Sequence, residues 1–299
     1  MVPLPEFSDP VPRRFPNPGE AIALLVLVIA VGASVALLFT ALGGRSGESA
    51  PAAAIFASNM TGLLLATWLG WKMSRAPLAS IVAWRRFPAR ALVPMVLITP
   101  ALVAALALVL KLYLLLPFPE SVGSVTDDFV RRVDAMLRGQ PVLAAVAVIV
   151  MAPAVEELFF RGLLLGGFLG RYRPPTALAL SALFFSVAHL NPVQVPATLL
   201  LGFYLGWLYL RTRSLLPCIL AHALNNGFVF LLGIAGRGVG EGAPAPGEAP
   251  ISLVFELLGL FAVLLLLRWL AAVLPRGTVG FPPGSTSGQG VSPKTHFDR

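Results

Sequence analysis

Charge is scarce in this chain of 299 residues: 12% are charged, against 57% hydrophobic. Soluble domains carry about 25% charged residues, so the composition excludes a water-soluble globular protein and indicates an integral membrane protein. Cysteine is almost absent. The single Cys218 rules out an internal disulfide and says nothing about redox compartment. Followed by Ile219 and Leu220 on an apolar run, it reads as a small packing residue rather than a nucleophile. Acids are outnumbered, 14 against 22 Lys and Arg, giving a net charge of +8. That excess does not point to nucleic acid, because the basic residues are scattered over loops between apolar runs and topology accounts for them. Only three histidines occur. His296 lies in a polar tail and plays no part, whereas His189 and His222 fall on apolar segments.

What the chain has in quantity is long hydrophobic runs, at about 21–42, 52–71, 91–117, 141–170, 176–190, 195–210, 215–234 and 251–274. About 20 apolar residues cross a bilayer as a helix. The expected fold is therefore all-α, a polytopic membrane protein of about eight transmembrane helices, in which the shorter fifth and sixth runs need not reach both surfaces. Residues 1–19, rich in proline, read as a disordered cytoplasmic tail. Transmembrane helices follow over 20–140, a polar-residue-bearing core over 141–235, a loop and last helix over 236–274, and a Gly/Ser-rich flexible tail over 275–299. Small residues at Ala33 and Ala36 are compatible with signal cleavage, but the first run is too long and starts too late, so it is expected to remain as a span.

Loop charges give the orientation. Lys72, Arg75, Arg85, Arg86 and Arg90 share one loop with no acid, and Arg171 with Arg173 and Arg211 with Arg213 form two more basic loops. The alternate loops are mixed: Glu120, Asp127, Asp128 and Asp134 against Arg131, Arg132 and Arg138, then Glu241 and Glu248 against Arg237. Placing the purely basic loops in the cytoplasm puts both termini inside, together with Arg276, Lys294 and Arg299. Lys111 and Arg268, near span ends, are expected to snorkel. The abundance of Ala, Leu, Val, Gly and Pro is that of a GC-rich bacterial genome, which makes the bacterial inner (plasma) membrane the expected location.

Within the fourth run stand Glu156, Glu157 and Arg161. A charge at bilayer depth costs roughly 2.5–3.5 kcal/mol on insertion scales, so two adjacent carboxylates need partners or a purpose. Glu157 and Arg161 are four apart and share a helix face, whereas Glu156 is rotated by about 100° and lacks that partner. A purely structural ion-pair network would leave this surplus carboxylate in an apolar medium. His189 follows Phe185 by one turn and precedes Asn191 and Pro192; His222 and Asn226 share a face of the seventh run, with Asn225 on another. At 1.5 Å per residue, Glu156 and His189 lie on the order of 20 Å from the cytoplasmic ends of their runs and His222 roughly 10 Å, so the three can line one intramembrane cavity. Taken singly, a span-end histidine is usually interfacial, and a His/Asn pair has an interhelical clasp as its alternative reading. Gly202 with Gly206, and Gly162 with Gly166 and Gly170, offer small faces for close helix approach.

Together these residues resemble the CAAX-processing and bacteriocin-processing (CPBP) intramembrane proteases, which include the type II CAAX prenyl endopeptidases. The family's Glu-Glu-x-x-x-Arg, Phe-x-x-x-His and His-x-x-x-Asn motifs stand here, intact and in order, as Glu156-Glu157 to Arg161, Phe185 to His189, and His222 to Asn226. The likeness covers about 141–235. It implies eight transmembrane helices around a catalytic cavity and an endopeptidase cutting near the C-terminus of a membrane-associated substrate. It further implies that Glu156 and His189 activate water, that His222 and Asn226 stabilise the oxyanion, and that Glu157, Arg161 and Phe185 support them. No cofactor is required in the favoured reading. Glu156, His189 and His222 could instead ligate zinc, but Asn226 suits an oxyanion site better. Two other functions fit intramembrane charges: an ion-coupled transporter, for which no repeated halves are visible, and a non-catalytic immunity or envelope-assembly protein, for which degenerate motifs would be expected. The expected partners are the lipid bilayer and a membrane-associated protein or peptide.

Overall fold

The computed structural model describes residues 15–43, 52–117, 131, 139–236 and 250–274. The expected disordered tails, apart from residues 15–19 and His296 included, lie outside the described residues; so do the acids Glu120, Asp127, Asp128 and Asp134 and the loop from Arg237 to Glu248. All regular structure among the described residues is helical. The helices are α1 (Pro18–Gly43), α2 (Ala52–Ser74), the short α3 (Leu78–Val82), α4 (Leu92–Leu114), α5 (Pro141–Leu169), α6 (Pro174–Val187), α7 (Val195–Thr212), α8 (Leu215–Gly236) and α9 (Pro250–Val273). Helix α1 opens inside the stretch read as tail. The Glu20 amide donates to Asn17 Oδ1 at 2.9 Å and the Asn17 amide to Glu20 Oε2 at 2.6 Å, a reciprocal cap that starts the helix at Pro18.

Among the described residues six helical stretches, rather than eight, are long and apolar enough to cross a membrane: Pro18–Phe39, Ala89–Leu114, Pro141–Leu169, Pro192–Thr212, Leu215–Ile234 and Leu253–Val273. The chain is an integral membrane protein. Helix α2 has the length, 23 residues, but Ser58, Asn59, Thr61 and Thr67 dilute its apolar run. Helix α6 has 14 residues, about 21 Å, short of the roughly 30 Å hydrocarbon core. Of the two runs expected to be short, only the fifth is.

Helix α5 is the hub, packed by α2, α3, α6, α7 and α8. It is not a uniform α-helix: Val146–Met151 and Leu158–Leu165 are π-helical, on either side of the α-helical Ala152–Glu157. Pro153 explains the first of these. It has no amide to give the Ile149 carbonyl and its ring crowds that carbonyl, so the preceding turn widens. Close approaches set the packing around α5. A Cβ on Gly162 would lie 2.7 Å from the Ile81 carbonyl oxygen of α3, and one on Gly202 would lie 3.0 Å from Ala182 Cα, so α7 rides directly on α6. Helix α9 packs chiefly on α4. There Lys111 ion-pairs with the buried Glu256, so its ammonium is held by a carboxylate on the neighbouring helix rather than simply snorkelling.

The start of α8 is fixed by the Leu215 amide donating to the Ala83 carbonyl at 3.0 Å. Because Ile81 abuts Gly162, α8 begins level with Gly162. Five residues back along α5 and seven forward along α8, about 8 and 10 Å, reach the same depth. Glu157 and His222 meet there, which removes the offset that counting from the cytoplasmic ends of the runs suggests. Gly162→Val should therefore push α3 from α5 and lower stability by about 1–3 kcal/mol through overpacking. Gly233→Val on α8, where an added Cβ meets nothing within 4 Å, should leave the thermal midpoint nearly unchanged; equal midpoints for the two variants would refute the packing role.

Candidate active site

The two glutamates occupy different environments. Glu157 is fully buried, and its Oε1 accepts from Arg161 Nη1 at 2.8 Å, one turn along α5. The same oxygen lies 2.8 Å from His222 Nδ1 on α8. Glu156, one residue earlier, points elsewhere and keeps 16% of its side chain exposed. Its Oε2 has no hydrogen-bond partner, and His222 Nε2 stands 3.9 Å away. Thus His222 lies between the two carboxylates, bonded to one and facing the other.

Arg161 is held on three sides. Besides Glu157, its Nη2 donates to the Gly202 carbonyl of α7 at 3.1 Å, and its guanidinium carbon lies 4.5 Å from the ring centre of Phe185 on α6. The missing side chain at Gly202 lets α7 pack directly on Ala182 of α6, the helix that also carries Phe185. Phe185 is a common wall, since its ring also meets His189 edge-on at 5.0 Å and His222 at 5.6 Å. Phe160 backs it at 5.1 Å.

His189 sits just beyond α6 on the connection to α7. Its Nδ1 lies 2.8 Å from the Phe185 carbonyl. A carbonyl only accepts, so Nδ1 carries the hydrogen and Nε2 is the free nitrogen. Leu190, at φ 51°, turns the chain out of the helix, and Asn191 Oδ1 accepts from the Val193 amide at 3.0 Å. Ser186 donates to the Val195 carbonyl at 3.0 Å, and Tyr113 of α4 donates to the Pro192 carbonyl at 3.1 Å. This connection is therefore pinned from both sides. No ion pair joins His189 to Glu156 or Glu157 among the described residues; the imidazole brought to Glu156 is that of His222.

Asn226 lies one turn beyond His222, and its Nδ2 donates to the Val148 carbonyl at 3.0 Å. Val148 belongs to the first π-helical segment of α5, where displaced backbone bonding leaves a carbonyl for a side chain. One of the two amide hydrogens of Asn226 is thus used and the other remains. Asn225 is largely buried and turns its Nδ2 toward Asn226 Oδ1 at 3.4 Å. Cys218 is buried, with its Sγ 3.3 Å from the Leu205 carbonyl, as expected of a packing residue.

The residues from all three motifs thus converge from α5, α6 and α8, with α7 completing the shell. A carboxylate with an unpartnered oxygen, two imidazoles with free Nε2 atoms and a carboxamide with a spare hydrogen make proton transfer and oxyanion stabilisation chemically feasible. Among the described residues no group of three or more His, Cys, Asp or Glu side chains is arranged to hold a metal ion. Glu156, His189 and His222 do not fit a three-ligand zinc site in this arrangement.

Residues 138–228 match the family model for type II CAAX prenyl endopeptidase Rce1-like proteins. The matched segment is about a third of the chain and contains all three motifs. No curated protein and no solved structure matches the chain.

Removing Arg161 leaves Glu157 buried without its ionic partner, which typically costs about 3–5 kcal/mol. Arg161→Ala should therefore lower the thermal midpoint and the yield of folded protein as well as any activity. Unchanged stability in the purified variant would mean that Arg161 is not the keystone its contacts suggest.

Proposed function

We propose that this chain, related over residues 138–228 to the CPBP family of intramembrane proteases, is an intramembrane endopeptidase. It hydrolyses a peptide bond near the C-terminus, or in the membrane segment, of a membrane-associated protein. The observation that carries this reading is the asymmetry of the glutamates: Glu157 is closed off by Arg161 and His222, while the partly exposed Glu156 keeps an unpartnered Oε2 beside an imidazole.

In this reading a water rests against Glu156. The carboxylate takes a proton as the water oxygen bonds to the scissile carbonyl carbon. The electron pair displaced onto the carbonyl oxygen is met by the spare Asn226 Nδ2 hydrogen and by the Nε2 hydrogen of His222 in its doubly protonated form, whose positive charge Glu157 offsets. When the C–N bond breaks, the nitrogen leaves with a proton delivered from Glu156, with His189 Nε2 available to relay it. The products are a carboxylate and an amine. Preorganised donors of this kind each contribute about 2.7–4 kcal/mol to the barrier reduction.

The purely basic loops are placed in the cytoplasm, with both termini there and the cavity opening to that side. This arrangement counts α2 and the short α6 with the six long spans. The bacterial composition favours a lipid-anchored or C-terminally tagged substrate over a prenylated one. The test is cleavage of a library of lipid-anchored, internally quenched peptides, varied toward the C-terminus, by the purified protein in nanodiscs. Failure to cut any member, or cutting that persists in Glu156→Gln, would sink the proposal. Glu156→Gln should abolish turnover while leaving the thermal midpoint near that of the wild type, since this carboxylate holds no partner through a hydrogen bond.

Asn226→Ala should lower kcat by roughly 10²–10³ for one lost donor and change KM little, because the charge it meets develops only in the transition state. It should also cost about 1–3 kcal/mol of stability by leaving the Val148 carbonyl unpaired. Elemental analysis of active, extensively chelated protein separates this chemistry from zinc hydrolysis: loss of activity on chelation and its recovery with zinc would overturn the metal-free scheme.

A further inference from the structure

We propose that Glu157 is a positioning residue for His222 and not only the ion-pair partner of Arg161: it fixes the hydrogen on Nδ1 and turns Nε2 to the reacting atoms. This rests on the endopeptidase reading above and deepens it.

A counter-ion for Arg161 has no need to touch His222. Yet Glu157 Oε1 stands 2.8 Å from both Arg161 Nη1 and His222 Nδ1, while its Oε2 has no hydrogen-bond partner. Both donors converge on one oxygen. The carboxylate is an acceptor, so the His222 nitrogen facing it carries hydrogen. Nε2 is then the nitrogen presented to Glu156, 3.9 Å away. Rotation of the ring is opposed by Phe185, edge-on at 5.6 Å, and Phe185 is itself covered by the Arg161 guanidinium. Four helices thus hold one imidazole: α5 through Glu157 and Arg161, α6 through Phe185, α7 through the Gly202 carbonyl, and α8 through its own backbone.

The chemistry follows from the order Arg161, Glu157, His222. With Nδ1–H engaged, Nε2 is an acceptor in the neutral ring and a donor once it holds a proton. The negative charge of Glu157 offsets the positive charge the ring then carries, which is the role of an orienting carboxylate in hydrolase triads. Glu156 holds the water and Glu157 holds the imidazole. The paired glutamates therefore have separate tasks, and neither replaces the other.

The experiment separates orientation from charge pairing. The double variant Glu157→Gln/Arg161→Met removes both charges of the ion pair together, so no buried charge is left alone. If Glu157 positions His222, this variant should recover most of the stability lost in Arg161→Ala. Its kcat on the library peptide that wild type cuts fastest should still fall by roughly 10³–10⁴, the penalty for a misoriented imidazole, with KM little changed. Recovery of kcat along with stability would overturn the proposal. Nitrogen-15 spectra of histidine-labelled wild type and Glu157→Gln in nanodiscs give a second readout, with the His222 signals assigned by their loss in His222→Gln. The wild type should show its hydrogen on Nδ1, with that preference lost in Glu157→Gln. A ring protonated only at Nε2 in wild type, or an unaltered ring in the variant, would equally overturn it. Because these spectra need no turnover, absence of cleavage would count against the endopeptidase alone and leave the positioning result to stand or fall by itself.

Discussion

Glu157 and Arg161 are both fully buried, and taking two such groups out of water costs several kcal/mol per ion even after relaxation. Their mutual bond does not suffice. Further support comes from the Gly202 carbonyl, the Phe185 ring and His222 Nδ1, one each from α7, α6 and α8, while Glu157 Oε2 and Arg161 Nε keep no hydrogen-bond partner. The architecture can be read as the set of conditions under which those groups arrive together. Gly202 lets α7 approach, Gly162 lets α3 sit against α5, and the Leu215–Ala83 bond sets where α8 begins. Loosening any one leaves a polar atom stranded in an apolar interior, so the ion pair imposes precision on helices whose lipid-facing surfaces impose almost none.

The motif residues were legible because charge and imidazole are rare in this chain, so their positions carried most of the information. The pairing of Glu157 with Arg161 follows from helical spacing alone. The third member of that cluster does not: His222 is 65 residues from Glu157, and depth counted from run ends placed it nearer the cytoplasm. The missing knowledge was where α8 begins relative to α5, which is decided by a backbone bond between segments that show no sequence signal. The π-helical turns were also hidden in the hydrophobic run of α5, although Pro153 was a visible cue. Glu256 lies in the last run, and its pairing with Lys111 depends on which helices become neighbours, a fact of tertiary structure that no local pattern encodes. Of the eight apolar runs, six appear among the described residues as helices long and apolar enough to cross a membrane, and α2 and the 14-residue α6 are the two that do not meet that measure.

The π-helical turns join backbone irregularity to chemistry. The Asn226 carboxamide takes its main-chain acceptor, the Val148 carbonyl, from the first of these segments. Having one fixes the carboxamide plane through a single bond and leaves the second hydrogen on the same nitrogen with a defined direction. The widened turns also bracket Ala152–Glu157, so the glutamates project from a short stretch of regular helix whose ends are locally adjusted. Carboxylate spacing is thereby kept while the surrounding backbone supplies an acceptor.

The shortness of α6 bears directly on where chemistry can occur. A helix of 14 residues covers about 21 Å, short of the roughly 30 Å hydrocarbon core. A helix long enough to finish the crossing would carry the histidine that follows it to the far surface. Instead Leu190 takes a left-handed conformation, the Asn191 side chain caps the next turn, and the Tyr113 hydroxyl holds the Pro192 carbonyl. An irregular connection in an apolar medium is tolerable only where protein, not lipid, satisfies its backbone polar groups; these bonds serve the Val193 amide and the Pro192 carbonyl, while the buried Asn191 Nδ2 keeps no hydrogen-bond partner. His189 is therefore kept at the level of Phe185 and His222 by termination of the helix rather than by its length. The same irregularity that makes α6 a poor membrane span makes its end a usable place for an imidazole.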